Sequence, residues 1–171
     1  LTINYMMAKD SVKSRLEGLV FIPLAVNRGQ RNGTREFLLS TKREFPDRLI
    51  IELDALATRV LFEDRTDSAG RHRAIGVEYL NGAHLYRADP RPSNDTPEKR
   101  TARARREVIL CGGAFNTPQL LMLSGIGPKA EVEKFKNGHQ PLVSCRIDLP
   151  GVGQNLQDRY EVGVVIELNK D

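Results

Sequence analysis

The chain has no tryptophan, few aromatic residues (6%) and only two cysteines among its 171 residues. Each scarcity excludes something. Proteins that grip single-stranded nucleic acid stack bases on aromatic side chains, and this chain has little to offer for that purpose. Cys111 and Cys145 are too few for a disulfide framework and too far apart in sequence for a metal clip, so a reducing, cytoplasmic setting is expected. The apolar runs are short, as in Leu120-Leu121-Met122-Leu123, whereas a membrane-spanning helix needs roughly 20 apolar residues in succession. The opening residues 1–10 carry neither the charged start nor the apolar stretch of a secretory signal. The chain begins at Leu1 and ends at Asn169-Lys170-Asp171, directly after a strand-like run. An internal piece of a longer protein is the expectation.

What is present fits an ordinary globular chain. It is 40% hydrophobic and 28% charged, and long enough for one domain with a core. The net charge is +4. Lys99, Arg100, Arg103, Arg105 and Arg106 run from a proline-rich loop into a strand. Alternation puts Arg103 and Arg105 on one face and Arg106 on the other. That reads as a solvated edge strand protected by charge rather than a face built for phosphates.

Residues 1–35 are poorly defined, with weak alternation from Val12 to Val26, room for one short helix, and a turn at Asn27-Arg28-Gly29. The spacing predicts a helix over 34–43, with Thr34 as N-cap and Phe37 and Leu38 on its buried face, ended by Pro46-Asp47. Residues 49–53, 55–63 and 74–80 carry strand signals. Asn81-Gly82 reads as a hairpin turn, with 84–87 as the partner strand. The result is an antiparallel meander. Residues 89–101, with Pro90, Pro92 and Pro97, form a surface loop, and 103–110 reads as a strand entering a core.

The most informative stretch is Glu107-Val108-Ile109-Leu110-Cys111-Gly112-Gly113-Ala114, an apolar strand closing on a glycine pair. Thr117 then serves as N-cap, Pro118 takes the first helical position, and Ser124-Gly125 end the helix. Glycines at a strand end let a ligand approach the backbone, and nucleotide cofactors bind at such strand ends. Taken by themselves, these residues equally admit a strand–helix corner in which glycine relieves crowding.

The longer run Gly113-Ala114-Phe115-Asn116-Thr117-Pro118-Gln119-Leu120-Leu121-Met122-Leu123-Ser124-Gly125-Ile126-Gly127-Pro128 resembles the second signature of the glucose–methanol–choline (GMC) oxidoreductases. Asp148-Leu149-Pro150-Gly151-Val152-Gly153-Gln154-Asn155-Leu156-Gln157-Asp158 is similar to a further family segment. The order of Arg48-Leu49-Ile50-Ile51, Ala57-Thr58-Arg59-Val60 and Ile75-Gly76-Val77-Glu78-Tyr79-Leu80 follows the family's middle region. The resemblance spans 36–168.

The resemblance implies an α/β fold, part of a doubly wound, Rossmann-like FAD-binding domain carrying the antiparallel meander. It implies FAD as cofactor and a small alcohol, such as choline, as substrate of the full-length enzyme. Ala57 would pair its backbone with the adenine ring, and Cys111, Gly112, Gly113 and Ala114 would form the strand end beside the adenosine. Cys111 is expected to be a buried thiol. Asn155 and Asp158 match the family's Asn-Leu-x-Asp near the flavin, read as turn-forming residues, with Arg159 where the family has His. The family's N-terminal Gly-x-Gly-x-x-Gly and its C-terminal catalytic histidine motif do not occur here. His72, His84 and His139 match no catalytic motif, so no catalytic or metal residue is assigned and the segment alone is expected to be inactive. Two other classes remain: a non-enzymatic nucleotide-binding module and a basic nucleic-acid binder.

Overall fold

The computed structural model describes residues 24–158 and 162–164. Most of the weakly alternating stretch before Val26, and Arg159, lie outside the described residues. The chain forms two compact units, Leu1–Glu52 and Leu53–Asp171.

In the first unit, β1 (Val26–Asn27) pairs with β2 (Gln30–Arg31) across the expected turn. Arg28 and Gly29 both take positive φ, 51° and 75°, as a two-residue hairpin matched to strand twist requires. Helix α1 (Thr34–Glu44) follows. Its cap is Gly33, not Thr34: the Glu36 carboxylate reaches back to accept the Gly33 N–H at 2.8 Å, the glutamate half of a capping box. That bond holds the Glu36 carboxyl below its ordinary pKa. The helix stops at Phe45, ahead of Pro46, which disfavours helical geometry in the residue before it. The expected buried face is uncovered, with Phe37 67% exposed. A short hairpin offers a helix no sheet to pack on. Residues 49–53 form no strand. Their apolar composition favours extension, but extension alone does not make a ladder.

The second unit is organised by the antiparallel sheet β3 (Ala55–Phe62), β4 (Ala74–Asn81) and β5 (Glu98–Arg103), in that order. The β3–β4 connection is closed by Asp67, whose carboxylate accepts from the Ala69 and Arg71 backbone and from the Arg71 guanidinium at 2.8–2.9 Å. The register slips between Ala57 and Arg59, making Thr58 the extra residue of a β-bulge. The bulge is secured by Glu78, which is buried. Its carboxylate accepts from the Thr58 hydroxyl at 2.9 Å and from Arg59 at 2.8 Å, with Lys99 at 3.5 Å.

The expected partner strand at 84–87 does not form; β5 pairs with β4 instead, across six positions from Gly76↔Arg103 to Asn81↔Glu98. Gly82 takes φ of 152° and sends its N–H to Asp54 O, and His84 adopts φ of 55°. That backbone leaves the strand direction, so Tyr86 rides on a turn. β5 also begins earlier than the sequence suggested and stops at Arg103, and residues 104–112 lie outside any ladder. Lys99, Arg100 and Arg103 thus lie on the outer strand of the sheet.

Helix α2 (Gly113–Leu123) starts earlier than Thr117. Gly112 takes the cap position where a side chain would crowd the first turn, and Gly113 takes the left-handed backbone, φ 80°, that opens the helix. Pro118 therefore lies inside it and removes the bond that position would donate to the Ala114 carbonyl. The Thr117 hydroxyl instead accepts the N–H of Gly112 at 2.9 Å. Beyond Ser124, β6 (Ile126–Gly127) pairs in parallel with β9 (Ile147–Asp148). Between them stand α3 (Lys129–Val132) and the hairpin of β7 (Lys136–Asn137) and β8 (Gln140–Pro141). Among the described residues, the buried apolar side chains are Val60, Ile126, Val132 and Val152.

Candidate cofactor site

The Ser-Gly-Ile-Gly run is built for backbone packing. The buried Ser124 hydroxyl donates to Leu120 O at 2.6 Å and accepts the Val60 N–H at 2.8 Å. Gly125 has φ of 84°, and a Cβ there would meet the Ser144 carbonyl at 2.7 Å. Gly127 has φ of 154°, and a Cβ would strike Met122 at 2.9 Å. The C-terminus of α2 is thereby bound to β3 and to the 144–149 segment.

These contacts hold α2 beside β3 and leave a hollow of about 380 Å³ between them, within the size range of small-molecule sites. Leu56, Ala57 and Val77 form its sheet wall; Ile109, Leu110, Cys111 and Gly112 form the extended wall; α2 contributes Asn116, Gln119, Leu120 and Leu123. Tyr86 closes it from the loop, its hydroxyl 3.4 Å from Asn116 Oδ1. The walls are apolar and small at Ala57, Cys111 and Gly112, with polar groups at Tyr86, Asn116 and Gln119. A flat heteroaromatic ring with a polar edge suits that lining.

The five residues singled out from sequence do not all meet. Ala57, Cys111 and Gly112 share this hollow. Gly113 lies at the corner with φ of 80° and open space where a Cβ would stand. Gly112, by contrast, is tight against its own helix: a Cβ would lie 3.1 Å from the Thr117 nitrogen. Ala114 faces a second hollow of about 540 Å³, with Phe115, Pro118, Met122 and the turn Gly153–Gln157. Asn155 lies in that turn with φ of 56°, a conformation Asn tolerates better than most residues.

Cys111 is exposed, not buried, because 104–112 has no covering layer among the described residues. Cys145 is half-buried, and burial together with the charges of Asp148 and Glu133 pushes its thiol pKa up. His84 pairs with Asp89 at 3.0 Å, and that hydrogen bond, with the Asp89 charge, raises the imidazole pKa. His72 packs edge-on against Phe62, with its Nδ1 buried and unpartnered. Among the described residues no cluster of metal-ligating side chains occurs, and no helix is long and apolar enough to cross a membrane. Sequence reasoning missed Tyr86, Asn116 and Gln119 as lining residues.

The family model of the GMC oxidoreductases matches residues 2–161. The chain belongs to that family. Its N-terminal part, the one matched, is the FAD-binding domain, so FAD is the cofactor. The chain is 39% identical over 143 residues to the oxygen-dependent choline dehydrogenase of Burkholderia vietnamiensis, covering 84% of this chain and 20% of the relative. The protein of that name from Cronobacter sakazakii is also 39% identical, with 84% and 21% covered. That from Pseudomonas entomophila is 40% identical over 135 residues, with 79% and 19% covered. The chain spans about a fifth of the length of the curated relatives it matches.

Proposed function

We propose that this chain forms the adenosine-holding part of a doubly wound FAD domain in an oxidoreductase that acts on the CH–OH group of an alcohol. The observation that carries the reading is the hollow in which Ala57, Cys111 and Gly112 converge from separate stretches of chain. The bulge adds support. Val60 turns its N–H outward to Ser124, and the extra residue at Thr58 shifts the alternation, so Ala57 turns its own N–H to the same outer edge. A purine edge in the hollow would find a donor and an acceptor there, as the adenine ring needs. Gly113 keeps the corner open for the ribose, and Ala114, turned to the second hollow, borders the cofactor's path beyond the corner.

When bound, FAD supplies the hydride acceptor for alcohol oxidation. The residues here bind and orient it; the proton-transfer groups of the whole enzyme belong to other parts of the protein, so this segment alone does not turn over alcohols. The names of the relatives favour choline as substrate. The two free thiols fit a reducing cytoplasm. The test is FAD binding by the full-length protein with Ala57→Phe. The phenyl ring fills the hollow, and purified protein should lose its flavin absorbance while keeping its far-ultraviolet circular dichroism. A variant that stays yellow at wild-type stoichiometry would refute the assignment.

A further inference from the structure

The two walls of the hollow come from stretches over fifty residues apart, and something must fix their spacing. Among the described residues no backbone hydrogen bond links them, since β3 is an edge strand of its sheet. At that edge the Val60 N–H would be a buried donor without a partner. It is met by the Ser124 hydroxyl at 2.8 Å, and that hydroxyl is itself anchored to Leu120 O at 2.6 Å. Ser124 is 8% exposed and Val60 7%, so loss of either partner leaves a largely buried polar group to be satisfied. Val60 follows Ala57 by three residues on β3, and Leu120 and Leu123 of the same helix line the hollow. One hydroxyl thus ties the helix wall to the strand wall, one turn from the cofactor-facing residues.

We propose that Ser124 is a positioning residue for FAD. It touches no cofactor atom; it sets the gap between Ala57 and the Gly112–Leu123 wall in which the adenosine is held. The inference rests on the reading of the hollow given above. A small, rigid donor–acceptor is needed at this point. Alanine would strand the Val60 N–H and release the helix end, and cysteine would keep the volume but accept hydrogen bonds poorly.

The test is reconstitution of the full-length apoprotein with FAD, following dissociation constants by flavin fluorescence well below the melting temperature. Ser124→Ala should weaken FAD binding on the order of tenfold, and Ser124→Cys several-fold with the fold retained. Val132→Ala is the control for destabilisation alone. Val132 is 5% exposed, packs in the same unit and does not line the hollow; its variant should hold FAD within about twofold of wild type. Equal loss of affinity in the Val132 and Ser124 variants, at equal loss of melting temperature, would overturn the positioning role. Should Ser124→Ala fail to fold, the comparison of Ser124→Cys with Val132→Ala decides the same question. Wild-type FAD affinity in Ala57→Phe would overturn the site reading itself, a result separable from the first.

Discussion

Replacing Gly125 by alanine tests the packing of the signature run most sharply. Gly125 has φ of 84°, and a methyl group there would lie 2.7 Å from the Ser144 carbonyl oxygen and 3.2 Å from Arg146 Cβ. Two penalties combine. A left-handed backbone costs an L-residue roughly 1–2 kcal/mol. Crowding against main chain that cannot rotate away adds roughly 1–3 kcal/mol. The Gly125 carbonyl also accepts the N–H groups of Arg146 and Ile147 at 2.7 and 3.0 Å, so any shift that relieves the clash stretches those bonds. The sum is roughly 2–5 kcal/mol, a large share of the roughly 5–15 kcal/mol that holds a domain folded. Gly138→Ala isolates the first penalty, since Gly138 has φ of 64° and open space around the missing Cβ. Urea unfolding of both variants should show Gly125→Ala less stable than Gly138→Ala by at least about 1 kcal/mol, with unchanged slopes. Equal midpoints would refute the crowding argument.

Three further outcomes follow from the charges and thiols. Burial works against the Glu78 carboxylate, but its hydrogen bonds from Arg59 and Thr58 and the charges of Arg59 and Lys99 prevail and lower its pKa. Its stabilisation is therefore present above its ordinary value of 4.5 and is lost as pH falls through the lower folded value. Glu78→Gln should cost about 1–3 kcal/mol at neutral pH and flatten that acid limb in urea titrations. The His84 imidazole should titrate above 6.5 by NMR and return toward it in Asp89→Asn. Because the folded pKa is raised, the pair stabilises the fold below the unfolded value and ceases to as pH rises through the folded one. Finally, a maleimide at neutral pH should label exposed Cys111 well before Cys145, and added FAD should slow labelling at Cys111 alone; labelling unaffected by FAD would count against the hollow.

Much of the meander was legible in sequence because β3 and β4 carry strong, locally decided signals. The solvated edge expected at the basic cluster falls on a different strand span: Lys99, Arg100 and Arg103 lie on β5, whereas Arg105 and Arg106, expected on a strand, lie outside any ladder. The partner of β4 was not legible. Asn81-Gly82 is a sound hairpin signal, but His84 adopts a left-handed backbone and the longer β5 ladder wins the strand edge. The cap of α1 was misplaced by one residue because a carboxylate at Glu36, not the hydroxyl of Thr34, closes the first turn. α2 began early because two glycines allow it, and Thr117 caps from within. At the candidate site, resemblance supplied Ala57 and the Cys111–Ala114 corner. The lining from Tyr86 and the clasp at Ser124 depend on long-range folding that no local pattern encodes.

The central claim is that the adenine end of FAD lies between Ala57 and the Cys111–Gly112 wall. A photoreactive azidoadenine analogue of FAD, bound to the full-length apoprotein and irradiated, tests it most directly. Peptide mapping should place the adduct on residues 56–57, 86, or 109–119. Adducts confined to the Gly153–Gln157 turn, or to stretches outside this chain, would contradict the account.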